Sequence, residues 1–279
     1  MRAEPEVVGR QAGHVAASCT DVVKIYWTAT GEVNALKGVD AVFPAATVTA
    51  VVGPSGSGKS SLLRIMAGLD RPTAGQVRVG NESLAGLRPG RLRRIRRRLM
   101  GYVYQRPADN LIPYLTVEEH LKLAARLRGA SGAGGAELLE LLGLGPRRRH
   151  LPRQLSGGEQ QRVAFAQAVV GAPAVVVADE PTAELDSATG RALLEALGGL
   201  AERGTAFVVA THDAAAVSVA TRVYHLRHGA LETESTDGRG LAVIDGAGRV
   251  QLPPAAMKLF PDRRAVIEVE DGHVRMSPP

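Results

Sequence analysis

The residues Gly53-Pro54-Ser55-Gly56-Ser57-Gly58-Lys59-Ser60 satisfy the spacing G-x-x-x-x-G-K-[ST] in full. Glycines at these offsets let backbone N–H groups turn inward on a phosphate, and a helix that starts at the loop's end adds roughly half a positive charge. A lysine in the place of Lys59 reaches the β- and γ-phosphates of a nucleotide, and a hydroxyl in the place of Ser60 ligates Mg²⁺. At average residue usage the pattern arises by chance in about one chain in a hundred of this length. Its context narrows that further, because it lies between the β-branched run TVTAVV (47–52) and a stretch from Ser60 to Leu69 that reads as helix. A glycine-rich turn with a surface lysine would not need every position at once.

Two further constellations carry chemistry. Val175-Val176-Val177-Ala178 leads into Asp179-Glu180, two carboxylates at the end of an apolar strand. Such a pair is costly to bury unless a cation or water receives it. Successive strand residues point to opposite sides, so one carboxylate can hold Mg²⁺ through water while the other polarises an attacking water. The second constellation is Leu155-Ser156-Gly157-Gly158-Glu159, which opens a helix running to about Val170. Ser156 and Glu159 have capping-box spacing. Gly157 and Gly158 are poor helix formers, and what they offer is a bare helix N-terminus open to close approach by an anion. One phosphate loop already cradles one nucleotide. A second anion site on a helix end suggests a composite site between two copies.

The elements that must position these residues are legible as short apolar runs. Residues 47–52, 99–104, 174–178 and 206–210 are near-continuous apolar segments separated by helical stretches, the pattern of a parallel sheet buried on both faces. Thr116 to Arg128 has a helical period, followed by the break GASGAGG and a short helix around Leu138 to Leu142. These helices sit between two strands and predict an inserted helical subdomain, about 106–172. After residue 235 the chain turns rich in Gly and Asp. The alternating runs flanking Asp271-Gly272 predict a hairpin in a small mostly-β appendage, 236–279.

The 279 residues are 45% hydrophobic and 22% charged, which excludes disordered, collagenous and coiled-coil chains. The single cysteine, Cys19, excludes a disulfide framework and fits a reducing compartment. No apolar run approaches the roughly 18–20 residues of a membrane span, and the polar N-terminus does not read as a secretion signal. The net charge is +6, which raises nucleic acid, membrane surface or nucleotide as partners. Seven arginines fall between Arg88 and Arg98, and subtracting them from +6 leaves −1. The charge thus belongs to one segment, RPGRLRRIRRR. Its Leu92, Ile95 and Leu99 predict an amphipathic helix seated on the core. Its arginines form a solvated face or meet anionic headgroups or an acidic partner surface.

Leu155-Ser156-Gly157-Gly158-Glu159-Gln160-Gln161-Arg162 resembles the signature motif of ABC-type ATPases, and the family's other motifs follow in order over roughly residues 18–232. The resemblance implies an α/β fold: a P-loop ATPase core with a mainly parallel sheet, an N-terminal antiparallel β subdomain and the helical insertion. It implies an ATP-binding domain over 18–235 with an extension over 1–17. Tyr26 resembles the aromatic that stacks on adenine. Gly53, Ser55, Gly56, Gly58, Lys59, Ser60 and Ser61 would hold the nucleotide, with Ser156, Gly157 and Gly158 closing on it from a second copy. Gln105 matches the Q-loop glutamine that senses Mg²⁺ and contacts the permease. Asp179 would hold Mg²⁺, partly through water, together with Ser60 and Gln105. Glu180 matches the catalytic glutamate, His212 the switch histidine and Lys59 the charge-stabilising lysine. Asp186, in Thr182-Ala183-Glu184-Leu185-Asp186, matches the D-loop residue that communicates across the dimer.

Within the family, GLDRPTAGQVRVGNESL followed by an arginine-rich helix and GYVYQ most resembles ATPases of the lipoprotein-release and macrolide-export type. The sequence departs from them after Gln105, where the loop to Pro113 is longer and His120 stands where Asn is common. What is implied is an ATPase subunit, homodimeric or heterodimeric. It would bind ATP and Mg²⁺ and drive a separately encoded permease from the inner, cytoplasmic face of the cell membrane. The alternative is a soluble ABC ATPase of DNA repair or translation, with the tail as a nucleic-acid or dimerisation module. Such proteins usually carry two cassettes or a long coiled-coil insertion, and neither is present. The tail is similar to the swapped-hairpin domains of transition-state regulators. With six basic and six acidic residues from 236 on, it supplies little of the net positive charge that nucleic-acid binding draws on.

Overall fold

The computed structural model describes residues 14–29, 31–130, 134–183, 185–236, 239–242, 256, 258–260, 264–270 and 273–278. In chain order the strands and α-helices are β1 (Val15–Thr28), β2 (Gly31–Pro44), β3 (Val48–Val52), α1 (Lys59–Met66), β4 (Ala74–Val79), β5 (Glu82–Ser83), α2 (Pro89–Leu99) and β6 (Met100–Val103). There follow α3 (Val117–Arg128), α4 (Gly135–Leu141), α5 (Gly157–Val169), β7 (Val175–Asp179), α6 (Ser187–Ala201), β8 (Ala206–Thr211), α7 (Ala214–Val219), β9 (Arg222–Arg227), β10 (Ala230–Thr236) and β11 (Arg239–Ala242). The strands β12 (Val266–Glu270) and β13 (His273–Ser277) complete the described elements.

A seven-stranded sheet in the order β11-β10-β9-β3-β8-β7-β6 forms the centre. From β9 to β6 its strands are parallel, and β10 and β11 join antiparallel. β3, β6, β7 and β8 are covered on both faces, which is why these segments read as unbroken apolar runs, whereas β9 exposes His225 and Arg227. On one side Phe165, Leu193, Leu197 and Phe207 belong to a core beneath the helical insertion. On the other, Val51, Leu62, Leu63, Met66 and Tyr224 pack with Leu36, Phe43 and Val77 of a four-stranded antiparallel sheet ordered β2-β1-β4-β5. The Tyr224 hydroxyl donates to the Val42 carbonyl (2.9 Å) and accepts from the Val42 N–H (3.1 Å), tying the two sheets together.

Local signals set the helix ends. Thr116 and Ser156 each close a reciprocal capping box, with Glu119 and Glu159 respectively. In α2 Ile95 is buried and Leu92 and Leu99 are half-buried, so the arginine helix is seated as its spacing predicts. Two boundaries differ from expectation. β1 begins at Val15, inside the stretch assigned to an N-terminal extension, because Ala17 to Cys19 bond to both β2 and β4. The central sheet also runs past residue 235 to Ala242, because β11 finds the free edge of β10. β12 and β13 pair antiparallel with Glu270 opposite His273. The Asp271-Gly272 turn between them, the segment Asp245–Pro253 and Glu184 lie outside the described residues.

Candidate nucleotide site

The glycine loop, the Asp179-Glu180 pair, His212 and Gln105 all lie at or just after strand ends at the same edge of the central sheet. Val52 pairs with Thr211 and Asp179 with Ala210, while Val103 pairs with Ala178. The chain therefore emerges from β3, β8, β7 and β6 side by side, as Gly53, His212, Glu180 and Gln105. In a parallel α/β sheet this carboxyl edge is where ligands bind.

The glycine loop is fixed by space as well as by sequence. Gly58 caps α1 at φ +106°, and a Cβ there would overlap the Ala35 carbonyl oxygen. Only glycine takes that conformation at that distance. Lys59 folds over the loop and donates from Nζ to the carbonyls of Gly53 (2.7 Å) and Pro54 (3.2 Å), so its ammonium lies at the loop's mouth. Ser55 and Gly56 are exposed at the tip, and a Cβ on Gly56 would meet nothing within 4 Å. The first turn of α1 brings no acid to its N-terminus, leaving the dipole's positive end open to an anion.

Asp179 ends β7 directly across from this turn. Burial pushes its carboxyl above the usual aspartate range. The Ser60 hydroxyl, which donates to it, opposes that shift, Glu180 next door adds to it, and Lys59 and Arg64 pull it back. A carboxylate held this way gains by receiving a cation. Among the described residues no group of three or more His, Cys, Asp or Glu could cage a metal. The Ser60 hydroxyl and the Asp179 carboxylate, with the exposed Gln105 amide just beyond β6, are hard oxygen donors. Together they suit Mg²⁺, which keeps waters and takes one or two carboxylates plus substrate phosphates.

Glu180 has left-handed backbone geometry, φ +46°, and its N–H donates to the Ala210 carbonyl (2.8 Å). A residue with a side chain is held there only when its surroundings demand it. The turn aims the Glu180 carboxylate at His212, whose Nδ1 lies 3.0 Å from Oε2. The His212 ring is largely exposed, and the Glu180 side chain is mostly covered. Asp213 supports this pair, and sequence reading had given it no role. Its N–H donates to the Thr211 hydroxyl (2.9 Å), and its carboxylate accepts from the Thr182 hydroxyl (3.1 Å) and the Ala215 N–H (2.8 Å). The histidine's turn is thereby fastened to the segment after Glu180. The only sequence hint was an aspartate at the start of an alanine-rich helix, a helix-capping signal.

Tyr26 stands on the other flank of α1. Its hydroxyl donates to Asp70 Oδ2 (2.9 Å), and Ser61 Oγ lies 3.4 Å from it. The Lys24 ammonium bonds Asp70 (2.8 Å) and sits 4.7 Å from the centre of the Tyr26 ring. Burial alone would raise the Asp70 carboxyl. The hydrogen bonds from Lys24, the Arg71 N–H and Tyr26 hold it below the ordinary range instead. The ring is thus fixed in orientation with a cation at one face, and the Ser61 hydroxyl lies beside its hydroxyl.

The remaining expected residues form a separate group. Ser156 caps α5, and Glu159 accepts from the Ser156 N–H (2.8 Å) and from Arg147 Nε (2.8 Å), which lower its carboxyl below the usual range. A Cβ on Gly157 would meet nothing within 4 Å, so the chain's own packing does not require glycine there. Gly158 is different, since a Cβ would lie 3.0 Å from Thr189 Cγ2. Asp186 caps α6 by accepting from the Ala188 and Thr189 N–H groups (3.1 and 3.0 Å) and the Thr189 hydroxyl (2.6 Å). The start of α5 and the start of α6 therefore adjoin. Among the described residues no hydrogen bond joins Ser156, Gly157, Gly158 or Asp186 to the glycine loop of the same chain.

The loop after Gln105 is latched by two residues. Asn110 accepts from the Tyr104 N–H (2.8 Å) and donates to the Tyr102 carbonyl (2.8 Å). His120, buried in α3, accepts from the Ile112 N–H at Nε2 (2.8 Å), with Nδ1 2.8 Å from the Thr116 carbonyl. Burial keeps this imidazole below its ordinary pKa. The histidine that departs from the usual asparagine is thus a buried fastener of the longer loop.

Comparison with known proteins agrees with this geometry. The family model described as ABC transporter matches residues 36–183. An uncharacterized ABC transporter ATP-binding protein of Thermotoga maritima is 42% identical over 216 residues, covering 76% of this chain and 92% of that protein. The lipoprotein-releasing system ATP-binding protein LolD of a Ruegeria species is 43% identical over 214 residues, 75% and 93% of the two chains. The pyoverdine export ATP-binding/permease protein PvdT of Pseudomonas fluorescens is 39% identical over 74% of this chain, which spans 32% of that longer protein. Among solved structures, the dimeric bacterial ABC transporter cassette MJ0796 superposes with a TM-score of 0.73 at 36% identity, over 81% of this chain and 100% of that one. A phosphate loop, a strand-end carboxylate pair and a glycine-opened helix thus coincide with these matches, and the chain belongs to the ABC transporter family as an ATP-binding, ATP-hydrolysing subunit.

Proposed function

We propose that two copies of this chain close on two ATP molecules and that their closing and opening drive a separate membrane permease of the export or mechanotransmission type. Each ATP is held by the glycine loop of one copy and the Ser156–Gly157–Gly158 helix end of the other. The observation that carries this reading is the Glu180–His212 pair, 3.0 Å apart beside the glycine loop, with strained backbone spent on aiming the glutamate. Lys59 turns from the loop carbonyls to the β- and γ-phosphates as they arrive. Tyr26, fixed by Asp70, offers its ring to adenine, and Ser55, Gly56 and Ser61 line the loop and helix around the phosphates.

Ser60, Asp179 and Gln105 are the residues that would hold Mg²⁺, which when bound neutralises charge on the β- and γ-oxygens. Glu180 orients a water in line with the γ-phosphorus and draws on its proton, while His212 and Lys59 stabilise charge on the transferred phosphoryl group. Gly157 lets the second copy's helix end approach that group without a side chain in between. Asp186, on the adjoining α6, reports the state of one site to the other copy. Loss of the γ-phosphate removes what both copies share, and the pair opens.

Two features support a separate permease. Among the described residues no helix is long and apolar enough to cross a membrane. The lipoprotein-releasing relative, 93% of which this chain matches, is likewise an ATP-binding protein, and the pyoverdine relative is named for export. The test is purification of the tagged chain from the membrane fraction, followed by mass measurement of its Glu180→Gln variant with ATP. Recovery of an integral membrane protein and a doubling of mass with ATP are the expected results. Recovery of nucleic acid or ribosomes with no membrane protein would refute the transport reading.

A further inference from the structure

The two helices that open on phosphate differ in one respect. The first turn of α1 carries no acid, whereas the first turn of α5 carries Glu159. Gly157 and Gly158 are weak helix formers, and Glu159 compensates as the reciprocal half of the Ser156 cap. It accepts from the Ser156 N–H (2.8 Å), while its own N–H donates to Ser156 Oγ (3.2 Å). The helix end offers an anion roughly half a positive charge. A full negative charge on the same turn outweighs that offer. Arg147 restores the balance, with Nε 2.8 Å from Glu159 Oε1, and no other cation lies within 4.0 Å of this carboxylate among the described residues. The Glu159 side chain is only 17% exposed, so solvent screens its charge little.

The main chain presents Arg147 from a fixed position. Its N–H donates to the Leu144 carbonyl (2.9 Å), and its carbonyl accepts from the His150 N–H (2.8 Å). The Arg148 and His150 carbonyls accept from the Glu118 and Val117 N–H groups (2.9 and 3.0 Å), which fastens this turn to the start of α3. We propose that Arg147 is a positioning residue of the composite ATP site. It cancels the charge of Glu159, so that the α5 helix end of one copy can close on the γ-phosphate held by the other. This role rests on the two-copy reading above and adds the group that sets the charge of the closing surface. It also makes the two halves of one ion pair unequal. Removing the arginine leaves a bare carboxylate near a polyphosphate. Replacing the carboxylate by an amide removes the repulsion and keeps the capping box, which glutamine also closes.

The test measures the mass of the Glu180→Gln chain with ATP over a range of protein concentrations. Adding Arg147→Ala should raise the midpoint of pairing about tenfold or more, while ATP binding to the separate copies, followed by Trp27 fluorescence, is unchanged. Added salt should narrow that gap, because it screens repulsion. Glu159→Gln should leave pairing within about threefold of the Glu180→Gln parent, and it should restore pairing when combined with Arg147→Ala. Arg147→Lys, which keeps the charge, should recover most of the loss. An arginine that only braces α5 predicts another pattern: Glu159→Gln alone weakens pairing as much as Arg147→Ala, and the two together do no better. That pattern, or pairing indifferent to the loss of Arg147, would overturn the proposal. Failure of the two-copy reading looks different: the Glu180→Gln chain itself would stay single with ATP.

Discussion

Glu180→Gln isolates the chemistry from the fold. The substitution keeps Cβ, so the left-handed turn at φ +46° and the hydrogen bond from the residue 180 N–H to the Ala210 carbonyl are unchanged. The amide still meets His212, and with that ring 76% exposed the lost charge pairing costs at most about 1 kcal/mol of stability. The melting temperature should therefore barely move. What the amide lacks is a basic oxygen for the attacking water, a role that contributes about 10²–10⁴ in rate. At about 1.36 kcal/mol per decade that is roughly 2.7–5.5 kcal/mol of barrier. Phosphate release at saturating Mg²⁺ and ATP should fall by that factor. Nucleotide affinity should hold, and the closed pair should accumulate by light scattering. Turnover within about threefold of the unaltered chain would refute the assignment of Glu180.

Further outcomes follow from the same geometry. Burial raises the Asp179 carboxyl, so ionising it costs stability as pH climbs through that raised value. Asp179→Asn should therefore melt higher than the unaltered chain at neutral pH without nucleotide, yet lose the extra stabilisation that Mg²⁺ gives with ATP and that EDTA removes. Lys59→Ala should abolish nucleotide binding, followed by the fluorescence of the single tryptophan, Trp27, which is 78% exposed beside Tyr26. Gly58→Ala forces a side chain into φ +106° and against Ala35, costing about 1–3 kcal/mol from the backbone alone, and denaturant unfolding should register it. His120→Ala orphans the Ile112 N–H at a cost of about 1–3 kcal/mol. Because burial lowers the His120 pKa, its contribution is present above about pH 6.5 and fades as pH falls through the lowered value. That part of the acid sensitivity should vanish in the variant.

What the sequence by itself determined is what lies close together along the chain. The glycine loop is contiguous between one strand and one helix, so its phosphate chemistry is written in eight successive residues. The capping boxes at Thr116 and Ser156 close over three residues. The β-branched runs mark strands buried on both faces because no other environment suits them. The arginine helix and its seating at Ile95 follow from a local period. Even the hairpin of β12 and β13 needed only alternation and a two-residue gap.

Tertiary structure decided which of these pieces meet. The order β9-β3-β8-β7-β6 is a property of strand pairing across more than a hundred residues, and it alone sets Asp179 against Ser60 and Glu180 against His212. Asp213, Asn110, Asp70 and His120 act by hydrogen bonds whose partners no spacing rule names. The division of the arginines into a pair on Glu82 and three facing a groove depends on where β5 and α3 lie around α2. Composition counted a net +6, and only packing showed which arginines of α2 reach a carboxylate. Backbone chemistry within a few residues is local and leaves a pattern in sequence. The meeting of distant side chains is settled by the whole sheet, whose pairing no short window contains.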